Sequence, residues 1–132
     1  MRKIILMFMI VVSVFAEQSK KSNDPGMKLI LQGKFKEAMN IFKKRCQKND
    51  GYACGMVGFF YSKGFNIVVK NKKKALYYYK KGCKLNDSDS CALIGYIYYR
   101  NKHIQKSKKF LKKACNLGNR DTCEYLKYKK IH

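Results

Sequence analysis

The stretch Cys83–Cys91, CKLNDSDSC, decides the fold. Its two cysteines stand eight positions apart, and the same C-x7-C spacing recurs as CQKNDGYAC (Cys46–Cys54) and CNLGNRDTC (Cys115–Cys123), using all six cysteines of the chain. In an unbroken helix, eight residues at 1.5 Å rise hold the two alpha-carbons roughly 12 Å apart, beyond the ~7 Å a disulfide can span. A turn must therefore separate the members of each pair. The interiors supply it: QKNDGYA, KLNDSDS and NLGNRDT carry Asn, Asp, Gly or Ser, the residues that end one helix and cap the next. Each pair reads as a staple across a helical hairpin.

Outward from the cysteines the sequence repeats itself, with periods of 37 residues (Cys46 to Cys83) and 32 residues (Cys83 to Cys115). Periods in that range mean a helical solenoid. Eight positions before each first cysteine stands Ala38, Ala75 or Ser107, and three and four later come Ile41 and Phe42, Tyr78 and Tyr79, Phe110 and Leu111. Small followed by large at this spacing makes one packing face of a helix. Twelve before the cysteine, Asn71 is a candidate N-cap and His103 a weaker one, while Lys34 is a poor cap. The second helices carry Val57-Gly58 with Tyr61, and Ile94-Gly95 with Tyr98. A helical glycine costs about 1 kcal/mol against alanine, which close approach of a neighbouring helix would offset. The third unit has Leu126 and Lys127 there, as suits a carboxy-terminal cap facing water.

The expected fold is all-α, an alpha-alpha solenoid of three hairpins (34–70, 71–102, 103–132), each stapled by one disulfide. Its six helices fall at about 34–47, 51–63, 71–84, 88–100, 103–116 and 120–130. The segment Gly64–Asn71, GFNIVVKN, is the longest connection.

Before the repeats, Met1–Ala16 has the parts of a secretory signal: Arg2 and Lys3, the apolar run IILMFMIVVSVF (Ile4–Phe15), and Val14 and Ala16 at a cleavage site. The run is too short to span a bilayer comfortably, so an uncleaved anchor is the alternative and not the preferred reading. Cleavage leaves a chain beginning at Glu17, in the periplasm or outside the cell, with no membrane span. Residues 17–33 then comprise a polar tail, EQSKKSNDPG, with the only proline, and a short capping half-helix, MKLILQ (Met27–Gln32). Export permits oxidation, and the even cysteine count suits it.

Thirty Lys and Arg against eight Asp and Glu give a formal charge of +22. Such a balance is either a solvated outer face or a surface for an anionic partner, whether lipid phosphates, acidic glycans or an acidic protein. The export signal and the lack of any recognition motif argue against nucleic acid. A monomer is expected.

Catalytic chemistry is hard to find. No serine has lysine three residues on, so the S-x-x-K pair of serine beta-lactamases is missing. The two histidines, His103 and His132, are too few for a metal site beside committed cysteines, and no cofactor is expected. Reduced thiols could bind zinc, although C-x7-C is not zinc-finger spacing. Tyr77 to Tyr79, Phe59 to Tyr61, and Tyr96 with Tyr98 and Tyr99 cannot all face inward, because three helical neighbours span about 200°. The surplus rings either line the lysine-covered surface or form a concave groove. For that groove the expected residues are Tyr77, Tyr96, Tyr99, Lys73 and Lys80.

The units KEAMNIFKKRCQKNDGYACGMVGFFYSKG and KKALYYYKKGCKLNDSDSCALIGYIYY resemble the Sel1-like repeat, a relative of the tetratricopeptide repeat. With cysteines paired eight apart behind a secretory signal, the chain is similar to the Helicobacter cysteine-rich protein family. The likeness covers about residues 34–126 and departs from the family pattern at Lys72, Ser107, Lys127 and the shortened second connection. It implies a disulfide-stapled solenoid. It further implies secreted proteins recognised by host defences, with penicillin binding and weak beta-lactamase activity. Two functions are therefore expected: a module binding a peptide, peptidoglycan fragment or host protein through its concave face, or a weak hydrolase of beta-lactams.

Overall fold

The chain reverses direction at the third residue after each first cysteine. In the computed structural model, which describes Ile4 and residues 23–130, Asn49 (φ 64°), Asn86 (φ 66°) and Gly118 (φ 97°) hold left-handed backbone there. Asparagine and glycine tolerate that conformation best. Each reversal is closed by two backbone bonds. Asp50, Asp87 and Asn119 donate their N–H to Arg45, Gly82 and Ala114 at 3.1, 3.0 and 3.0 Å, and the preceding residue donates back to the first cysteine. This is a glycine-type C-cap.

The same three residues then start the next helix. The Asp50, Asp87 and Asn119 side chains accept from the N–H of Ala53, Ser90 and Thr122 at 3.1, 3.0 and 2.9 Å. A dipeptide thus ends one helix and begins its partner, and the cysteine alpha-carbons are brought to 4.6, 4.6 and 4.8 Å.

Seven helices result among the described residues: α1 (Pro25–Leu31), α2 (Phe35–Gln47), α3 (Gly51–Lys63), α4 (Lys72–Lys84), α5 (Ser88–Arg100), α6 (Ile104–Asn116) and α7 (Arg120–Tyr128). The last six match the sequence expectation to within two residues. The first starts earlier than expected. The end of the polar tail enters the helix: Asp24 caps α1 by accepting from Gly26 and Met27 (2.8 and 3.3 Å), and Pro25 occupies its first turn, where a missing N–H costs nothing. Asn71 caps α4 through Lys74 N–H at 2.9 Å, whereas His103 makes no side-chain cap bond to α6. The secretory signal, the tail as far as Ser22 and His132 lie outside the described residues, apart from Ile4.

The described residues fall into two compact units, one ending at Ala38 and the other beginning at Met39. Within the second, α3 packs on α4, α4 on α5, α5 on α6 and α6 on α7, and α3 also touches α5. Phe42, Val57, Phe60, Ile94 and Leu111 are fully buried. Of the large residues expected on the packing face, Phe42, Tyr79 and Leu111 are buried, and their neighbours Ile41, Tyr78 and Phe110 are half-buried.

Both repeat glycines lie where helices nearly touch. A Cβ on Gly58 would come within 2.8 Å of the Tyr79 ring and 3.0 Å of the Ala75 carbonyl. On Gly95 it would stand 2.5 Å from Leu111 Cδ2. Ser107, in the place of Ala38 and Ala75, donates its buried hydroxyl to the Gly95 carbonyl at 2.8 Å. Lys127, at the equivalent glycine position of the last hairpin, is exposed.

Candidate functional site

All six cysteines are joined, Cys46–Cys54, Cys83–Cys91 and Cys115–Cys123. A disulfide sulfur has no thiolate with which to attack a substrate or bind zinc. Among the described residues no cluster of three or more His, Cys, Asp or Glu could hold a metal ion.

What the fold assembles instead is a lysine–tyrosine clamp, made twice. Tyr61, near the end of α3, stacks on Tyr78 of α4 with centroids 5.7 Å apart and planes 11° from parallel. Lys43 from α2 and Lys74 from α4 bring their ammonium groups to 5.8 and 5.2 Å from the same Tyr61 ring. One repeat on, Tyr98 of α5 stacks on Phe110 of α6 at 5.7 Å and 19°. Lys80 from α4 and Lys106 from α6 approach the Tyr98 ring to 5.9 and 5.6 Å.

Each ring is therefore gripped by one lysine from its own hairpin and one from the next. The partners are repeat equivalents: Tyr61 to Tyr98 and Lys43 to Lys80 are 37 residues apart, Lys74 to Lys106 and Tyr78 to Phe110 are 32. Cation–π attraction at such distances contributes about 0.5–1 kcal/mol at an exposed site and restrains an otherwise mobile side chain. Further contacts tie successive repeats together. Lys113 of α6 donates to the Cys83 carbonyl at the end of α4 (2.8 Å), where a cation also opposes the negative end of the helix dipole. Asn119 donates to Asp89 at 2.9 Å.

A model of the Sel1 repeat matches residues 51–87 and 88–119, more than half of the chain. The chain belongs to the Sel1 repeat family. Each match spans one second-cysteine helix and the first helix of the following hairpin, α3 with α4 and α5 with α6, a frame one helix out of phase with the cysteine-based units. Among solved structures, this Sel1 repeat protein is similar to Helicobacter pylori cysteine rich protein B, at 37% identity and a TM-score of 0.65, over 69% of this chain and 71% of that one. It is also similar to a Sel1 repeat protein from Oxalobacter formigenes, at 27% identity and a TM-score of 0.66, over 83% of this chain and 50% of that one. No curated protein sequence matches significantly. Three structural disulfides point to an oxidising, extracytoplasmic environment, and among the described residues no helix is long and apolar enough to cross a membrane.

The groove residues expected from the Sel1 repeat sequence fall in three places. Tyr96 and Tyr99 of α5 both set their rings edge-on to Tyr125 of α7, at 5.0 and 5.9 Å. Tyr77 of α4 is 62% exposed and edges onto Tyr78 at 5.1 Å. Lys80 belongs to the Tyr98 clamp, and Lys73 is exposed in the first turn of α4. Lys43, Lys74, Lys106, Tyr61 and Tyr98 were not singled out as a site, because ring and cation lie 13 or more residues apart except for the eight between Lys106 and Tyr98. Their signal in the sequence is lysine at repeat-equivalent positions, Lys43 with Lys80 and Lys74 with Lys106.

Packing also alters the phenols. Burial raises Tyr78 above the usual tyrosine range, and neighbouring Tyr61 and Tyr77 add to it. Tyr79 is raised by burial against an opposing hydrogen bond with Ser62. Tyr125 is raised by burial and by Tyr99 and Tyr96.

Proposed function

We propose that this Sel1 repeat protein is an exported scaffold, its leader removed after Ala16, that holds a peptide, a cell-wall fragment or a segment of another protein against its repeats. The observation that supports this reading is the recurrence of one ring gripped by two lysines, one repeat apart, on a strongly basic chain. Repetition of surface chemistry at the period of the fold is how solenoids recognise long ligands. The hydrolase alternative rests on the resemblance alone, since no serine has its lysine helper and every cysteine is in a disulfide.

The test uses the oxidised chain from Glu17, immobilised and exposed to muropeptides and to an extracellular peptide library. Saturable binding that reduction abolishes is expected, while cephalosporin turnover stays at the level of a heat- and reductant-inactivated control. Absence of saturable binding to either class, or turnover that co-purifies with the protein, would overturn the reading.

A further inference from the structure

We infer that the two clamps hold an extended acidic peptide segment of a partner protein, with carboxylates spaced about three residues apart. The inference rests on the binding reading above and names its ligand.

Residues 51–86 and 90–120 contain no Asp or Glu, so α4 and α6 supply no carboxylate to Lys74, Lys80 and Lys106, and the one acid on the helix of Lys43, Glu37, stands six residues before it. The ammonium groups of one clamp can be no farther apart than their two centroid distances added together, so positive charge is concentrated around each ring. A free lysine loses about 2 kcal/mol of rotamer freedom when fixed by a ligand. Lysines already resting on a ring have given up part of that freedom, which leaves more of the interaction for binding.

Spacing selects an extended chain. Tyr61 on α3 and Tyr98 on α5 occupy repeat-equivalent places, and the two clamps share α4, whose Lys74 and Lys80 stand six residues apart, roughly 9 Å along its axis at 1.5 Å per residue. A polyproline-type peptide advances about 3.1 Å per residue and returns a side chain to the same side every third residue, roughly 9 Å on. One acidic side chain per clamp follows. All four cations are ammonium groups, point charges that impose no fork geometry and can each meet a single carboxylate oxygen. The clamp rings are half-buried and stacked, which keeps them from entering a bilayer.

The probe is a fluorescein-labelled peptide of four Glu-Pro-Ala units, compared with an isomer of the same composition whose four glutamates are contiguous. Fluorescence anisotropy at low salt measures both against the oxidised chain from Glu17. A second pair of proteins separates clamp from net charge: K43Q/K74Q/K80Q/K106Q, and K84Q/K112Q/K127Q/K130Q, whose lysines are exposed and outside the clamps. Equal melting temperatures show that both remain folded.

The wild type should prefer the spaced peptide, and the clamp variant should lose about tenfold in affinity against about threefold or less for the control set. Equal losses in the two variants, no preference between the isomers, or stronger binding of inorganic polyphosphate than of the spaced peptide would overturn the inference. A protein that ignores the acidic peptide yet binds muropeptides overturns the inference alone. Failure in both assays overturns the binding reading as well.

Discussion

Replacing Gly95 with alanine sets two effects of opposite sign against each other. Helix propensity favours the alanine by about 1 kcal/mol. The structure opposes it, because the new Cβ would stand 2.5 Å from Leu111 Cδ2, 2.6 Å from Cγ and 3.1 Å from the Leu111 nitrogen. Leu111 is fully buried and cannot swing clear, and its Cγ and backbone cannot move without α6. Restoring ordinary contact requires α5 and α6 to part by roughly 1 Å, and overpacking of this kind costs about 1–3 kcal/mol. The separation would also stretch the buried Ser107 hydroxyl bond to the Gly95 carbonyl, which contributes about 1 kcal/mol. The net expectation is a loss of about 1–3 kcal/mol, or roughly 5–20 °C in Tm for a domain of this size. Thermal unfolding of oxidised G95A, followed by circular dichroism at 222 nm, measures it. A double-mutant cycle with Leu111→Ala should show strong coupling, since removing the obstructing side chain relieves the clash. A G95A melting temperature equal to or above wild type would refute the close-approach account of this glycine.

Further consequences follow from the staples and the phenols. Each disulfide closes a nine-residue loop, worth about 2.5 kcal/mol in the chain-entropy model, so C83A/C91A should melt roughly 10–20 °C below wild type. An unchanged Tm would contradict that role. Cys46, Cys54, Cys83 and Cys91 are buried while Cys115 and Cys123 are half-buried, so limited reductant should open Cys115–Cys123 first, as read by thiol labelling and peptide mapping. Because the folded protein raises Tyr78, Tyr79 and Tyr125, it binds their protons more tightly than the unfolded chain does. The associated stability is fully present below about pH 10 and is lost as pH rises through the folded values. Absorbance titration near 295 nm should show these phenols ionising above the usual tyrosine range, and ionisation within that range would contradict the burial argument.

The architecture was legible because its signals are local. Seven residues between cysteines, with Asn-Asp or Gly-Asn in the middle, dictate both ends of a hairpin without reference to the rest of the chain. Helix α1 begins two residues before the expected Met27, because Asp24-Pro25 supplies a start signal inside a stretch whose polar composition reads as tail. The rings were harder. Helical phase says that Tyr77, Tyr78 and Tyr79 point in different directions, but only the position of α3 decides that Tyr79 goes under Gly58 while Tyr78 stacks on Tyr61. The clamps depend on three helices at once. Their trace in the sequence is the retention of lysine at repeat-equivalent positions, which is hard to distinguish from a general lysine coat in a chain with thirty basic residues.

The central claim, an exported solenoid held by three staples, is tested most directly by non-reducing peptide mapping of protein recovered from its native cell with free thiols blocked. The account predicts a mature end at Glu17 and the linkages Cys46–Cys54, Cys83–Cys91 and Cys115–Cys123. Blocked free thiols together with a retained leader would contradict it.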